Sequence, residues 1–91
     1  MTSDAPDWAK AACRDMDVDL WFREADQADT RLALSTCSGC EIRIECLEAA
    51  MDEEKGKGYQ MRHGIRGGLT KGQRHDLAAS RRKAARAAAA A

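Results

Sequence analysis

This chain of 91 residues has few of the side chains that build a large core: one Phe, one Tyr and two Trp, with much of its 44% apolar content supplied by alanine. It has a single proline and no run of about 18 apolar residues, so no transmembrane helix is expected. The start, Met1-Thr-Ser-Asp-Ala-Pro-Asp7, lacks the basic-then-apolar pattern of a secretory leader, which sets the expectation of a cytoplasmic protein. No internal repeat is visible. The length suits one small domain, read as residues 1–80 with a basic, alanine-rich tail over 81–91. Chains this short bury a modest fraction of their surface, and a core alone seldom supplies more than about 3–5 kcal/mol. Some further staple is needed.

The staple candidates are Cys13, Cys37, Cys40 and Cys46, spaced C-x23-C-x2-C-x5-C. Four soft thiolates around one centre suit either an iron–sulfur cluster or a zinc ion, and the spacing alone leaves the two open. A structural metal is worth about 10–16 kcal/mol in zinc-finger peptides, more than this core could supply, so the centre is expected to fold the domain. Disulfides need an oxidising compartment and rank last. Cys37-Ser-Gly-Cys40 is also a C-x-x-C pair at a helix start, which raises a protein disulfide reductase of the metal-free form as an alternative. No βαβ thioredoxin-like pattern accompanies it. A zinc-stabilised DNA-binding module is the other alternative.

A formal net charge of zero hides a division. Residues 1–56 carry six Lys/Arg against fourteen Asp/Glu, and residues 57–91 carry nine against the single Asp76, so the halves stand at −8 and +8. The basic half can meet phosphate or an acidic protein face, and the two halves can attract each other. Lys71, Arg74, Arg81, Arg82, Lys83 and Arg86 are the DNA-binding candidates, with Arg82 and Arg86 on one helical face. There is no R-G-R-P minor-groove hook, so such contacts are weak or auxiliary.

Pro6 and a cap at Asp4 predict a short helix through Asp7 to Cys13. Asp15 to Phe22 reads as a loop carrying aromatics. A helix starting at Asp26 or Asp29 runs into Cys37, and Ser38-Gly39 turns the chain between the paired cysteines. Glu41 to Glu54 is a helix whose apolar stripe is Ile42, Cys46 and Ala50 with Leu47 and Met51, stopped at Gly56. Glu53 and Glu54 belong to its solvated face. Five of the seven glycines fall between 56 and 68, a tight turn or a two-strand hairpin. Thr70 and Gln73 form a capping box for a last helix over about 71–86, beyond which the alanines fray. His63 and His75 read as surface histidines.

Taken together, Trp8 with Ala12-Cys13, Asp19-Leu20-Trp21-Phe22, Cys37-Ser-Gly-Cys40, Arg43, Cys46-Leu47, Ala50, Gly64-Ile65-Arg66-Gly67-Gly68 and Arg74 resemble the WhiB-like family of actinobacterial iron–sulfur transcription factors. The resemblance implies a small all-α fold of about four short helices around a [4Fe–4S] cluster held by the four cysteines, with the glycine turn before the last helix. It implies a transcriptional regulator, not an enzyme, that senses redox change or nitric oxide at the cluster. It also implies binding to the C-terminal domain of the principal sigma factor of RNA polymerase, as a monomer when bound. Trp8, Trp21, Phe22, Gly64, Ile65, Arg66, Gly67 and Gly68 are then the partner-binding candidates, the first three covering the cluster as well. Two departures stand out. Arg66 occupies the turn position where the family usually has tryptophan, and Glu41 follows Cys40 where the family tends to have proline. The length and the altered turn fit a phage-borne or divergent member.

Overall fold

The computed structural model describes residues 6–22 and 27–90. The anticipated cap at Asp4 and helix start at Asp26 lie outside the described residues, as does Ala91 of the tail.

Among the described residues, three α-helices carry the fold: α1 over Gln27–Ser38, α2 over Arg43–Glu53 and α3 over Lys71–Ala90. Short 3-10 turns at Trp8–Lys10, Val18–Trp21 and Tyr59–Met61 supplement them. This corrects the anticipated count of about four helices, because the N-terminal one does not form. Asp7 caps a single 3-10 turn by accepting from the Ala9 amide, and Ala11 then turns extended at φ −67°, ψ 128°. A segment that short lacks the length to sustain an α-helix without packing support, and Trp8 within it is 49% exposed.

On α1, Ala33 and Cys37 stand four residues apart on one face and are buried with Trp21 and Ile65, against which Met16, Leu20 and Leu34 pack. On α2, Leu47 and Ala50 are buried, as is Ile42 just before the helix. The Glu54 amide closes α2 by donating to the Ala50 carbonyl, and Gly56 follows in the left-handed region at φ 79°.

The glycine-rich stretch forms turns, not a two-strand hairpin: among the described residues its ladder is the lone bridge between Arg66 and Leu69. Helix α3 opens on the anticipated capping box. The Gln73 amide donates to Thr70 Oγ1 at 3.2 Å, and the Thr70 amide donates to Gln73 Oε1 at 2.9 Å. The helix continues past residue 86 to Ala90, as its run of alanine, the strongest helix former, allows. No helix among the described residues is long and apolar enough to cross a membrane.

Candidate metal centre

The four cysteines arrive from separate places. Cys13 sits in the turns after Ala11, Cys37 in the last turn of α1, Cys40 in the connection, and Cys46 one turn into α2. The connection is tight because the Gly39 amide donates to the Thr36 carbonyl and the Cys40 amide to that of Cys37. All four cysteines line one cavity of about 80 Å³, closed by Trp8, Trp21, Ile42 and Ile65. None is in a disulfide.

Amide and indole N–H groups point at the sulfurs. Trp21 Nε1 donates to Cys37 Sγ at 3.3 Å, and the Ala12 amide donates to Cys40 Sγ at 3.4 Å. The Gly67 amide hydrogen-bonds Cys46. The extended turn at Ala11 is therefore what presents Ala12 to Cys40. Burial pushes the Cys13 thiol up, opposed by its own backbone amide and reinforced by charge on Cys37 and Cys40. Burial likewise raises Cys46, opposed by the Gly67 amide and the Arg66 charge and reinforced by Cys37 and Cys13. A thiol desolvated in this way holds its proton until a cation takes the proton's place. Thiols supplied with fixed N–H donors match what iron–sulfur ligation uses. Among the described residues, no three His, Cys, Asp or Glu side chains converge as ligands of one ion would.

The glycine turn is the fourth wall. A Cβ on Gly67 would stand 2.4 Å from the Leu47 Cα, and Gly67 has φ 59°, so only glycine lets this turn lie flat on α2 beside Cys46. Gly64, at φ 68°, accepts the Phe22 ring where a Cβ would be 2.7 Å away. The Ile65 amide donates to the Trp21 carbonyl at 2.8 Å, which ties the turn to the indole segment.

This geometry revises the partner-binding set. Trp21 (7% exposed) and Ile65 (5%) are core residues, and Gly64 and Gly67 are buried. The adjacent aromatics divide, Trp21 turning in to cover the cysteines and Phe22 turning out at 54% exposed. Trp8 and Phe22 remain at the surface, with Arg66 and Gly68 partly accessible. Arg66 Nη1 donates to Glu53 Oε2 at 2.6 Å, so its carboxylate partner lies within the chain.

A second correction concerns Glu54, which is buried rather than on a solvated face. Its Oε1 accepts from Arg62 Nη1 and Arg74 Nε, both at 2.9 Å, and its Oε2 accepts from Arg74 Nη2 at 3.0 Å. Burial alone would raise this carboxyl; the hydrogen bonds and charges of Arg74 and then Arg62 outweigh it and hold it below its ordinary value. Arg74 is fully buried and also donates to the carbonyls of His63, Gly64 and Leu69. It thereby fixes the glycine turn, which removes it from the DNA-binding candidates. Arg62, which sequence reasoning passed over, donates to the Lys57 carbonyl at 3.0 Å. One signal was available: an acid at the end of α2 and a base in the first turn of α3 each oppose the helix dipole, which implies a partner elsewhere.

A family model for the transcription factor WhiB matches residues 8–77, a span that includes all four cysteines and the glycine turn. The chain belongs to the WhiB family. It is 38% identical over 68 residues to the transcriptional regulator WhiB2 of Mycobacterium tuberculosis, covering 75% of this chain and 68% of that protein. It is 36% identical over 90 residues to the transcriptional regulator WhiB1 of Bifidobacterium longum, covering 93% and 88%. It is 37% identical over 68 residues to the transcriptional regulator WhiB of Streptomyces coelicolor, covering 75% and 70%.

The remaining basic residues of this WhiB-family chain divide in the same way as its aromatics. Arg81 makes a two-pronged pair with Glu48, at 3.0 and 2.8 Å, tying α3 to α2; that contact lowers the Glu48 carboxyl and raises the Arg81 guanidinium. Lys71 Nζ lies 4.7 Å from the centroid of the Tyr59 ring. Arg82, Lys83 and Arg86 are exposed along the outer part of α3. The pairs Glu54 with Arg62 and Arg74, Glu53 with Arg66, and Glu48 with Arg81 all join the acidic half to the basic half.

Proposed function

We propose that this WhiB-family transcriptional regulator holds a [4Fe–4S] cluster on Cys13, Cys37, Cys40 and Cys46. It acts by binding the C-terminal domain of the principal sigma factor of RNA polymerase, with auxiliary DNA contacts. The observation that carries the cofactor reading is that all four cysteines line one cavity, with N–H donors aimed at the sulfurs of Cys37 and Cys40. Four thiolates at one cavity suit a multi-iron core in which each cysteine meets its own iron.

When bound, such a cluster supplies a centre that exchanges electrons and reacts with small diatomic gases. The chain's own residues do the rest. Trp21 and Ile65 exclude water from the sulfurs, and Gly67 brings the turn against Cys46. Trp8 lines the same cavity as Cys13, and Phe22 directly follows Trp21, so the exposed aromatics adjoin the cysteine site and depend on its assembly. Loss of ligation then means loss of a partner surface, because ligation and folding are coupled. Arg82, Lys83 and Arg86, with Lys71, form the auxiliary phosphate-facing set.

The test is anaerobic purification after co-expression with the sigma C-terminal domain, with iron and acid-labile sulfide assayed per chain. About four irons with the partner co-purifying at one to one supports the reading. A folded, colourless protein with one zinc per chain overturns it.

A further inference from the structure

We propose that Arg66, braced by Glu53, sets the reduction potential of the centre that the four cysteines hold. The proposal rests on the cluster reading above. Arg66 lines the same cavity as the cysteines and lies next to Gly67, whose amide meets Cys46. Its side chain is 27% exposed, whereas that of Glu53 is 61% exposed. The guanidinium is therefore the less solvated member of the pair at the cavity, and the carboxylate is the more solvated one. Arg43 lines the cavity too and provides a constant second cation.

The couple concerned takes one electron from an external low-potential reductant such as dithionite and gains one negative charge, with no bond made or broken. A nearby cation favours the more negative form and raises the potential; an anion lowers it. Two substitutions on one ion pair therefore have opposite effects. Arg66→Gln removes the cation and leaves the Glu53 charge behind, while Glu53→Gln frees the cation from its partner. A purely structural role predicts otherwise, since either change breaks the same contact and loosens the same turn.

The experiment is anaerobic redox titration of wild-type, Arg66→Gln, Arg66→Lys and Glu53→Gln proteins, followed by absorbance and electron paramagnetic resonance, with iron counted in each. Arg66→Gln should make reduction about tenfold less favourable, which for one electron is about 59 mV lower. Glu53→Gln should shift the midpoint upward by a smaller, several-fold change, because the more exposed charge is better screened. Arg66→Lys should stay within about threefold of wild type. Loaded protein whose midpoint is unmoved in Arg66→Gln, or moves the same way in Arg66→Gln and Glu53→Gln, overturns this proposal and leaves the cluster reading standing. Wild-type protein that binds no iron overturns both.

Discussion

Replacing Glu54 with Gln should be among the most damaging single changes available outside the cysteines. Glu54 is 5% exposed, and its two partners, Arg62 and Arg74, are 2% and 0% exposed. The carboxylate receives three hydrogen bonds from two guanidiniums. Hydrogen bonds to charged groups are each worth about 1.5–3 kcal/mol, and they do not add when they share partners. A glutamine oxygen still accepts one of them, but its NH2 faces a donor, and two buried cations lose their counter-charge. Breaking one partner out of a buried ionic cluster costs about 3–5 kcal/mol. The carbonyls of His63, Gly64, Leu69 and Lys57 continue to accept from the arginines, which places Glu54→Gln near the lower figure. For a domain of this size about 3 kcal/mol corresponds to a melting temperature lower by about 12 °C or more.

The assay is thermal and urea unfolding by far-ultraviolet circular dichroism, with both proteins prepared and measured without air. The pH dependence is a second check. Because the folded-state carboxyl is held low, its contribution is full above the ordinary carboxyl range and fades as pH falls through the depressed value. The gap between wild type and Glu54→Gln should therefore shrink on going from neutral pH to below about 4. A variant within about 1 kcal/mol of wild type at neutral pH, or a gap that widens in acid, refutes the reasoning.

Two further outcomes follow from the same geometry. Gly67→Ala should displace the turn from α2 and abolish retention of the centre, whereas Gly56→Ala, with positive φ but nothing within 4 Å, should cost only about 1–2 kcal/mol and retain it; iron content and melting temperature separate them. Arg82→Ala with Arg86→Ala should weaken DNA binding uniformly across sequences and flatten the dependence of log affinity on log salt by about 0.9 per residue, with the melting temperature unchanged; fluorescence anisotropy at several salt concentrations measures this.

Much of the helical framework could be read from the residues. The stripe Ile42, Leu47 and Ala50, the capping box at Thr70 and Gln73, and the turn between Cys37 and Cys40 each depend on neighbours a few positions apart, which is the range over which periodicity and capping act. The rest depended on distant partners. Charged residues are by default solvent-facing, so Glu54 and Arg74 read as surface and nothing singled out Arg62. They are buried because the carbonyls of the glycine turn need donors, and Arg74 comes from ten residues away to supply them. The division of Trp21 from Phe22 is likewise decided by what lies opposite each ring, a cysteine sulfur for one and a glycine for the other. The N-terminal segment was overestimated as helix because capping signals say where a helix can start, not whether anything sustains it.

The outer part of α3 stands clear of the body, yet its root is pinned at Arg74 and again at Arg81. A rod fixed at two points keeps its heading. Arg82 and Arg86 are thus held at a set bearing and reach from the sulfurs, about 1.5 Å farther for each residue along the rod. One extra alanine just beyond Arg81 would swing that pair by roughly 100° while leaving every contact at the root intact.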